Sequence, residues 1–205
     1  PDDVDVIVFV PEAPGVLLRE QYLNGEGVYG VIAVQQDYSG NARSIALALA
    51  KANRCTRVGV IPISVRQEVE VDNFVEQDVK GGAAELISAS FAALVKRGCN
   101  PLHAYLKVVN WMRSFVNLVQ GGIEYAWSKH STTCEYAART RGNEIINHDR
   151  INSVLRETEL GEFAGDWVHE YSSGLLKLTS LRGAAKDSKI EEIACRAREI
   201  YRRTK

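Results

Sequence analysis

The rhythm of hydrophobic and polar positions changes once along this chain. Up to about residue 64 the apolar residues come in short unbroken runs, and beyond it they recur at helical spacing. The run over 4–10, VDVIVFV, predicts a buried parallel strand, because a strand covered on both faces shows no polar side. PEAPG at 11–15 is a turn-rich loop at its C-terminal end, the end where open α/β sheets bind ligands. Residues 16–23 can form a short helix, 31–36 a strand, 42–52 a helix rich in good helix formers, and 57–61 a further buried strand. Asp37, Ser39 and Asn41 supply turn and capping chemistry before the second helix. The segment 4–63 therefore reads as the tail end of an α/β sheet.

From Ser64 on, no strong strand signal returns. An acidic helix is predicted over 68–79, and a second over 83–96 with Leu86, Ile87, Phe91, Leu94 and Val95 on one face. Gly98 ends the second. Residues 102–119 predict one long helix, apolar almost all round, which implies burial on most faces and against a second subunit. Gly121 and Gly122 break it. Further helices are expected over 123–127, 131–138, 150–160 and 189–201, with Ser188 as N-cap and Glu191 at the capping-box position of the last. Its many charges (Lys186, Lys189, Glu191, Glu192, Arg196, Arg198, Glu199, Arg202 and Arg203) read as a solvated face. Phe163 and Trp167 are read as a packing pair within 161–175.

Composition narrows the function classes. At 45% hydrophobic and 25% charged the chain can build a sizeable core, and a net charge of −1 argues for neither nucleic acid nor an anionic membrane. Cys55, Cys99, Cys134 and Cys195 have no CxxC spacing, which points away from zinc or a disulfide framework and towards a reducing cytoplasm. No stretch is long enough for a membrane span, and no signal peptide opens the chain. A chain that begins on a central strand is expected to be the C-terminal part of a longer protein.

Gly25–Gly30, GEGVYG, matches GxGxxG by letter, but a dinucleotide fingerprint follows a strand and opens a helix. This one follows a helical stretch and opens a strand, so it reads as a loop. Asp72 and Glu76 stand four apart, and on a helix both carboxylates share one face. Such a pair is either a solvated acidic face or a pair of oxygen ligands for a divalent cation. The histidines at 103, 130, 148 and 169 show no metal spacing; His130, beside Ser131, is the one to watch.

AVQQDYSGNA (33–42), CTRVGVI (55–61), EVEVDNFVEQ (68–77), the Gly121-Gly122 break, CEY (134–136) and GEFAGDW (161–167) occur together in this order. In these motifs and their spacing the chain resembles the short form of ketol-acid reductoisomerase, also called acetohydroxyacid isomeroreductase. The resemblance covers nearly the whole chain. It implies that residues 1–64 are the C-terminal part of a Rossmann-like NADP-binding domain and 65–205 an all-helical, knotted domain that pairs with a second copy. It also implies NADPH (or NADH) bound through an N-terminal half absent here, two magnesium ions, a small keto or hydroxy acid as substrate, and a cytoplasmic or, in a plant, plastid location.

Residue by residue, the resemblance makes Asp72 and Glu76 metal-binding carboxylates and Ser131 the serine that holds the substrate carboxylate. Two further family glutamates on the long helix correspond to Lys107 and Trp111, the loop lysine near the substrate to Glu12, and the loop histidine to Val16. Pro62, Ile63 and Val65 also depart from the polar or aromatic residues of the family. Lys107 and Glu12 are then candidate catalytic groups and Trp111 a candidate substrate contact. The expectation is a divergent NAD(P)H-dependent oxidoreductase on a keto acid, hydroxy acid or imine, working as a homodimer. Alternatives are a non-catalytic dimerisation or regulatory paralogue, one that pairs with a true family member, and an ordinary reductoisomerase of branched-chain amino-acid synthesis.

Overall fold

The computed structural model describes residues 1–202, with side chains through Arg198. The side chains of Glu199 and Arg202, and Arg203 altogether, lie outside the described residues. The chain forms two compact units, Pro1–Asn73 and Phe74–Lys205.

In the first unit, β1 (Val6–Pro11), β2 (Gly30–Gln36) and β3 (Val60–Pro62) make one sheet in the order β1-β2-β3. The β2–β3 pair is parallel, as the α/β pattern predicts, but β1 runs antiparallel to β2 and is only half-buried. The apolar run at 4–10 set an expectation of burial and direction together, whereas direction is fixed by the connection. Pro11 lies opposite Gly30, and the Glu12 N–H donates to the Tyr29 carbonyl at 3.0 Å, so the ladder closes around the intervening segment like a long hairpin. The third strand also starts later than expected, because Cys55–Arg57 winds into a 3-10 turn.

Two helices belong to this sheet, α1 (Gly15–Leu23) and α2 (Ala42–Ala52). Ala42, Ala46 and Ala50 are fully buried at four-residue intervals. A stripe of alanines lets α2 approach the sheet closely, over Val31, Ile32 and Ala33. Its capping bond comes from Asp37, whose carboxylate accepts the Ala42 N–H at 3.0 Å, rather than from Asn41. Asp5 in turn accepts both the N–H and the hydroxyl of Ser39, which holds its carboxyl below the usual range.

GEGVYG is a loop between α1 and β2 and opens a strand. Its second glycine has a packing reason: a Cβ on Gly27 would lie 2.3 Å from the Arg54 carbonyl oxygen. Arg57 donates to the Gly25 carbonyl and fastens the same loop. Gly27→Ala should therefore destabilise the chain by about 1–3 kcal/mol through backbone displacement, read as a lowered urea midpoint. A midpoint equal to that of the parent chain would show that the loop can move aside freely.

The helix α3 (Val65–Val75) leads into a π-helical segment, Glu76–Gly81. The second unit is helical: α4 (Gly82–Lys96), α5 (Pro101–Asn110), α6 (Phe115–Trp127), α7 (Thr132–Arg141), α8 (His148–Glu159), α9 (Glu162–Ser172), α10 (Leu176–Lys186) and α11 (Lys189–Arg202). Gly98 ends α4 with positive φ; its N–H reaches the Val95 carbonyl and the Cys99 N–H the Leu94 carbonyl, the paired bonds of a Schellman cap. Asn100 caps α5 by accepting the His103 N–H, and Pro101 occupies the first helical position. Phe91, Ala104 and Ile193 form the core where α4, α5 and α11 meet.

The long helix expected over 102–119 is α5, a 3-10 turn at Trp111–Ser114, and the start of α6. Phe115, Val116 and Val119 are exposed within this chain, Val119 at 87%. Periodicity reports that apolar groups seek cover, not that this chain supplies it. The break does fall at Gly122, whose φ of 82° only glycine adopts readily. On α11, Ile193, Ala194 and Ala197 are buried while Lys189, Glu191, Glu192, Arg196 and Arg198 face solvent. Ser188 precedes that helix, but its hydroxyl donates back to the Ala185 carbonyl at 2.6 Å.

Candidate functional site

The chemistry-bearing residues fall into a cluster in the first unit and a pocket in the helical unit. In the first, the loop after β1 carries Glu12, and α3 carries Glu68 and Asp72 one turn apart. The Glu68 carboxyl is pushed above its ordinary 4.5, first by burial and then by the charges of Glu12 and Asp72. Burial, Glu12 and Glu68 push the Tyr29 hydroxyl up in the same way. Glu12, Tyr29, Glu68 and Asp72 thus share one negative neighbourhood. Glu68 was not among the residues singled out from sequence, although the four-residue step from Glu68 to Asp72 repeats the step from Asp72 to Glu76.

A carboxyl whose folded pKa is raised binds more protons folded than unfolded between 4.5 and that higher value. Its contribution is therefore most favourable below 4.5 and falls as pH rises through the folded pKa. Glu68→Gln should flatten this part of the stability–pH curve and raise the melting temperature at neutral pH. An unchanged slope in thermal melts would show that Glu68 titrates normally.

Glu76 opens the π segment, where its Oε1 lies 3.2 Å from the Lys80 ammonium. Both side chains are largely exposed, so the pair is worth roughly 0–1 kcal/mol. The next residue is anchored more firmly. Gln77 Nε2 donates to Thr158 Oγ1 at 3.1 Å, and the buried Thr158 hydroxyl donates to the Val154 carbonyl at 2.8 Å. The π segment is thereby tied to α8.

In the helical unit, Lys107 and Trp111 lie one turn apart and line the same pocket of about 500 Å³. His103, Asn110, Ser114 and His130 line it with them. The His130 ring sits 5.0 Å from Trp111 and 5.8 Å from Trp127, tilted to both. A smaller apolar cavity of about 100 Å³ adjoins it on the side of Phe115 and Ile123. Ser131 follows His130 in the chain but does not line the pocket; it is the N-cap of α7, accepting the Cys134 N–H at 3.3 Å. His130 therefore sits at the pocket where Ser131 was expected, and His103 joins it through the helical spacing to Lys107.

The donor chemistry does not fit the two-magnesium centre that the resemblance implies. Magnesium takes oxygen ligands. Lys107 brings a cation, and the Trp111 indole offers only an N–H. Among the described residues no three His, Cys, Asp or Glu side chains converge to hold a metal ion.

Comparison with known proteins agrees along the chain. Residues 65–203 match the family model "Ketol-acid reductoisomerase, C-terminal domain", and residues 1–59 match "Acetohydroxy acid isomeroreductase, NADPH-binding domain". The ketol-acid reductoisomerase (NADP(+)) of Haloarcula marismortui is 40% identical over 203 residues, 98% of this chain and 59% of that protein. A ketol-acid reductoisomerase (NAD(+)) from an uncultured archaeon is 39% identical over 206 residues, 98% of this chain and 62% of that protein. Among solved structures, an NADH-preferring ketol-acid reductoisomerase from an uncultured archaeon superposes with a TM-score of 0.92 at 38% identity, covering 97% of this chain and 62% of that one. The chain spans about three fifths of the length of the curated relatives it matches.

Proposed function

The chain belongs to the ketol-acid reductoisomerase family, and on that premise we propose that the protein carrying it is an NAD(P)H-dependent oxidoreductase with an altered metal centre, acting on a small keto acid, hydroxy acid or imine. The observation that carries this reading is the pairing of Lys107 with Trp111 in one pocket that no carboxylate lines among the described residues. At those two positions the family resemblance calls for glutamates. In this proposal residues 1–64 complete an NADP-binding domain and 65–205 form the helical domain. A nicotinamide supplies hydride when bound. No residue of this chain is assigned to it, because GEGVYG opens a strand and Gly27 is packed against the Arg54 backbone.

Asp72 and Glu68 are negative neighbours that can orient a cationic or proton-donating substrate group, and Glu12 replaces a cation with an anion at the same loop. The exposed apolar side chains Phe115, Val116, Val119 and Ile123 support a homodimer formed through the helical unit. A second reading is favoured by the survival of Asp72 and Glu76: in a mixed dimer with a true family member, one composite site draws two glutamates from the partner. No helix among the described residues is long and apolar enough to cross a membrane. The scattered cysteines, with Cys55 buried, support a reducing cytoplasm as its compartment.

The test uses the whole protein. NADPH and NADH are titrated by fluorescence, then consumed in the presence of small 2-oxo acids, with EDTA and with magnesium. Binding of one nicotinamide and turnover that survives EDTA are expected. A protein that binds neither nicotinamide contradicts the proposal and leaves a non-catalytic paralogue.

A further inference from the structure

We propose that the pocket beside His130 binds a small planar carboxylate, with its carboxylate on the Lys107 ammonium and its flat body on the Trp111 indole. As a statement about substrate, this rests on the oxidoreductase reading above. As a statement about binding, it stands on the pocket.

The polar lining is uniformly suited to an anion. Lys107 is a fixed cation, the Trp111 indole, the Asn110 amide and the Ser114 hydroxyl can donate, and His103 and His130 each offer a ring N–H. Among the described residues of this chain no aspartate or glutamate lines the pocket, so within the chain an entering carboxylate meets no like charge there. Lys107 is exposed, and the salt bridges among the described residues do not include it.

The body of the ligand follows from Trp111. Its side chain is 47% exposed, and His130 covers it from one side only, tilted by 46°. An indole half open to a pocket offers a stacking face, which a flat ligand covers better than a puckered one. Lys107 and Trp111 stand four residues apart on the α5 side of the pocket, so charge and face are presented together. A pocket of about 500 Å³ suits a small molecule. A 2-oxo acid, whose carbonyl and carboxylate can lie in one plane, belongs to this class.

The assignment moves the carboxylate anchor away from Ser131. Ser131 does not line the pocket. Lys107, absent from the family pattern, takes the role that the resemblance gives to the serine.

The experiment follows the indole N–H resonances of Trp111, Trp127 and Trp167 in the whole 205-residue chain. Trp167 lines a separate cavity with Phe163 and Leu181 and serves as the internal reference. Benzoate is the probe; benzamide removes its charge and cyclohexanecarboxylate its planarity. Benzoate should shift the Trp111 resonance with a Kd on the order of millimolar and leave Trp167 in place. Lys107→Met should weaken it about tenfold or more, as loss of a charged hydrogen bond does, while Lys107→Arg restores binding. Benzamide and cyclohexanecarboxylate should bind more weakly than benzoate. Equal binding of benzoate and benzamide, equal shifts at Trp167, or an unchanged Kd in Lys107→Met would overturn the proposal. No nicotinamide enters this assay, so its failure leaves the oxidoreductase reading to the nicotinamide titration, and failure of that titration leaves the pocket assignment intact.

Discussion

The double substitution Lys107→Glu with Trp111→Glu is expected to raise magnesium affinity of the whole protein by about a thousandfold or more. The estimate needs only electrostatics. A unit charge about 4 Å from another contributes roughly 4 kcal/mol at an effective dielectric of 20, and each 1.4 kcal/mol is tenfold in binding. Replacing a lysine by a glutamate changes the local charge by two units, and Trp111→Glu adds a third, so the figure of one unit is conservative. Asp72 and Glu76 are the carboxylates that the family resemblance assigns to the metal, and the expected gain takes that assignment as its premise. Titration calorimetry of the variant against the parent protein measures the effect, with far-UV circular dichroism to show that both are folded. An affinity unchanged by the double substitution would mean that positions 107 and 111 do not belong to a metal site.

The largest expected effect on stability is that of Phe91→Ala. Phe91 is 3% exposed on α4 and packs with Ala104 of α5 and Ile193 of α11. Val95, Leu102, Tyr105, Val108 and Ile190 pack against this core. Removing the ring takes away its burial and leaves a cavity that these neighbours fill only in part, so the cost sits at about 3–5 kcal/mol. Set against a typical total of roughly 5–15 kcal/mol, that is a large fraction. For a chain of this length it corresponds to a fall in Tm on the order of 10 °C. A loss below about 1 kcal/mol in urea unfolding would show that the three helices close over the gap.

What the sequence made legible is the material that local chemistry fixes. The helix at Ala42–Ala52 stands where good helix formers and turn residues put it, and α4 ends at the glycine that forms its cap. What it left open depends on connection and neighbours. An apolar run signals burial but not direction, so β1 was expected parallel and lies antiparallel to β2. Even spacing of large apolar residues over 102–119 gave no sign of the 3-10 turn at Trp111–Ser114. The π segment at Glu76–Gly81 was also invisible, since it is held by a bond from Gln77 to Thr158, far along the chain.

The site divides in the same way. Lys107 and Trp111 came as a pair from the family resemblance, as the positions of two glutamates, and the structure sets both in one pocket. Glu68 was missed because its carboxyl is pushed up first by burial and then by the charge of Glu12, and both depend on how the chain folds back on itself. Ser131, which the resemblance assigns to the substrate carboxylate, is the N-cap of α7.

The most direct measurement is isothermal titration of magnesium into the whole protein with NADPH and a small keto-acid analogue present. The altered site predicts no binding at millimolar magnesium. Two ions bound per site would contradict it and return the protein to the ordinary reductoisomerases of its family.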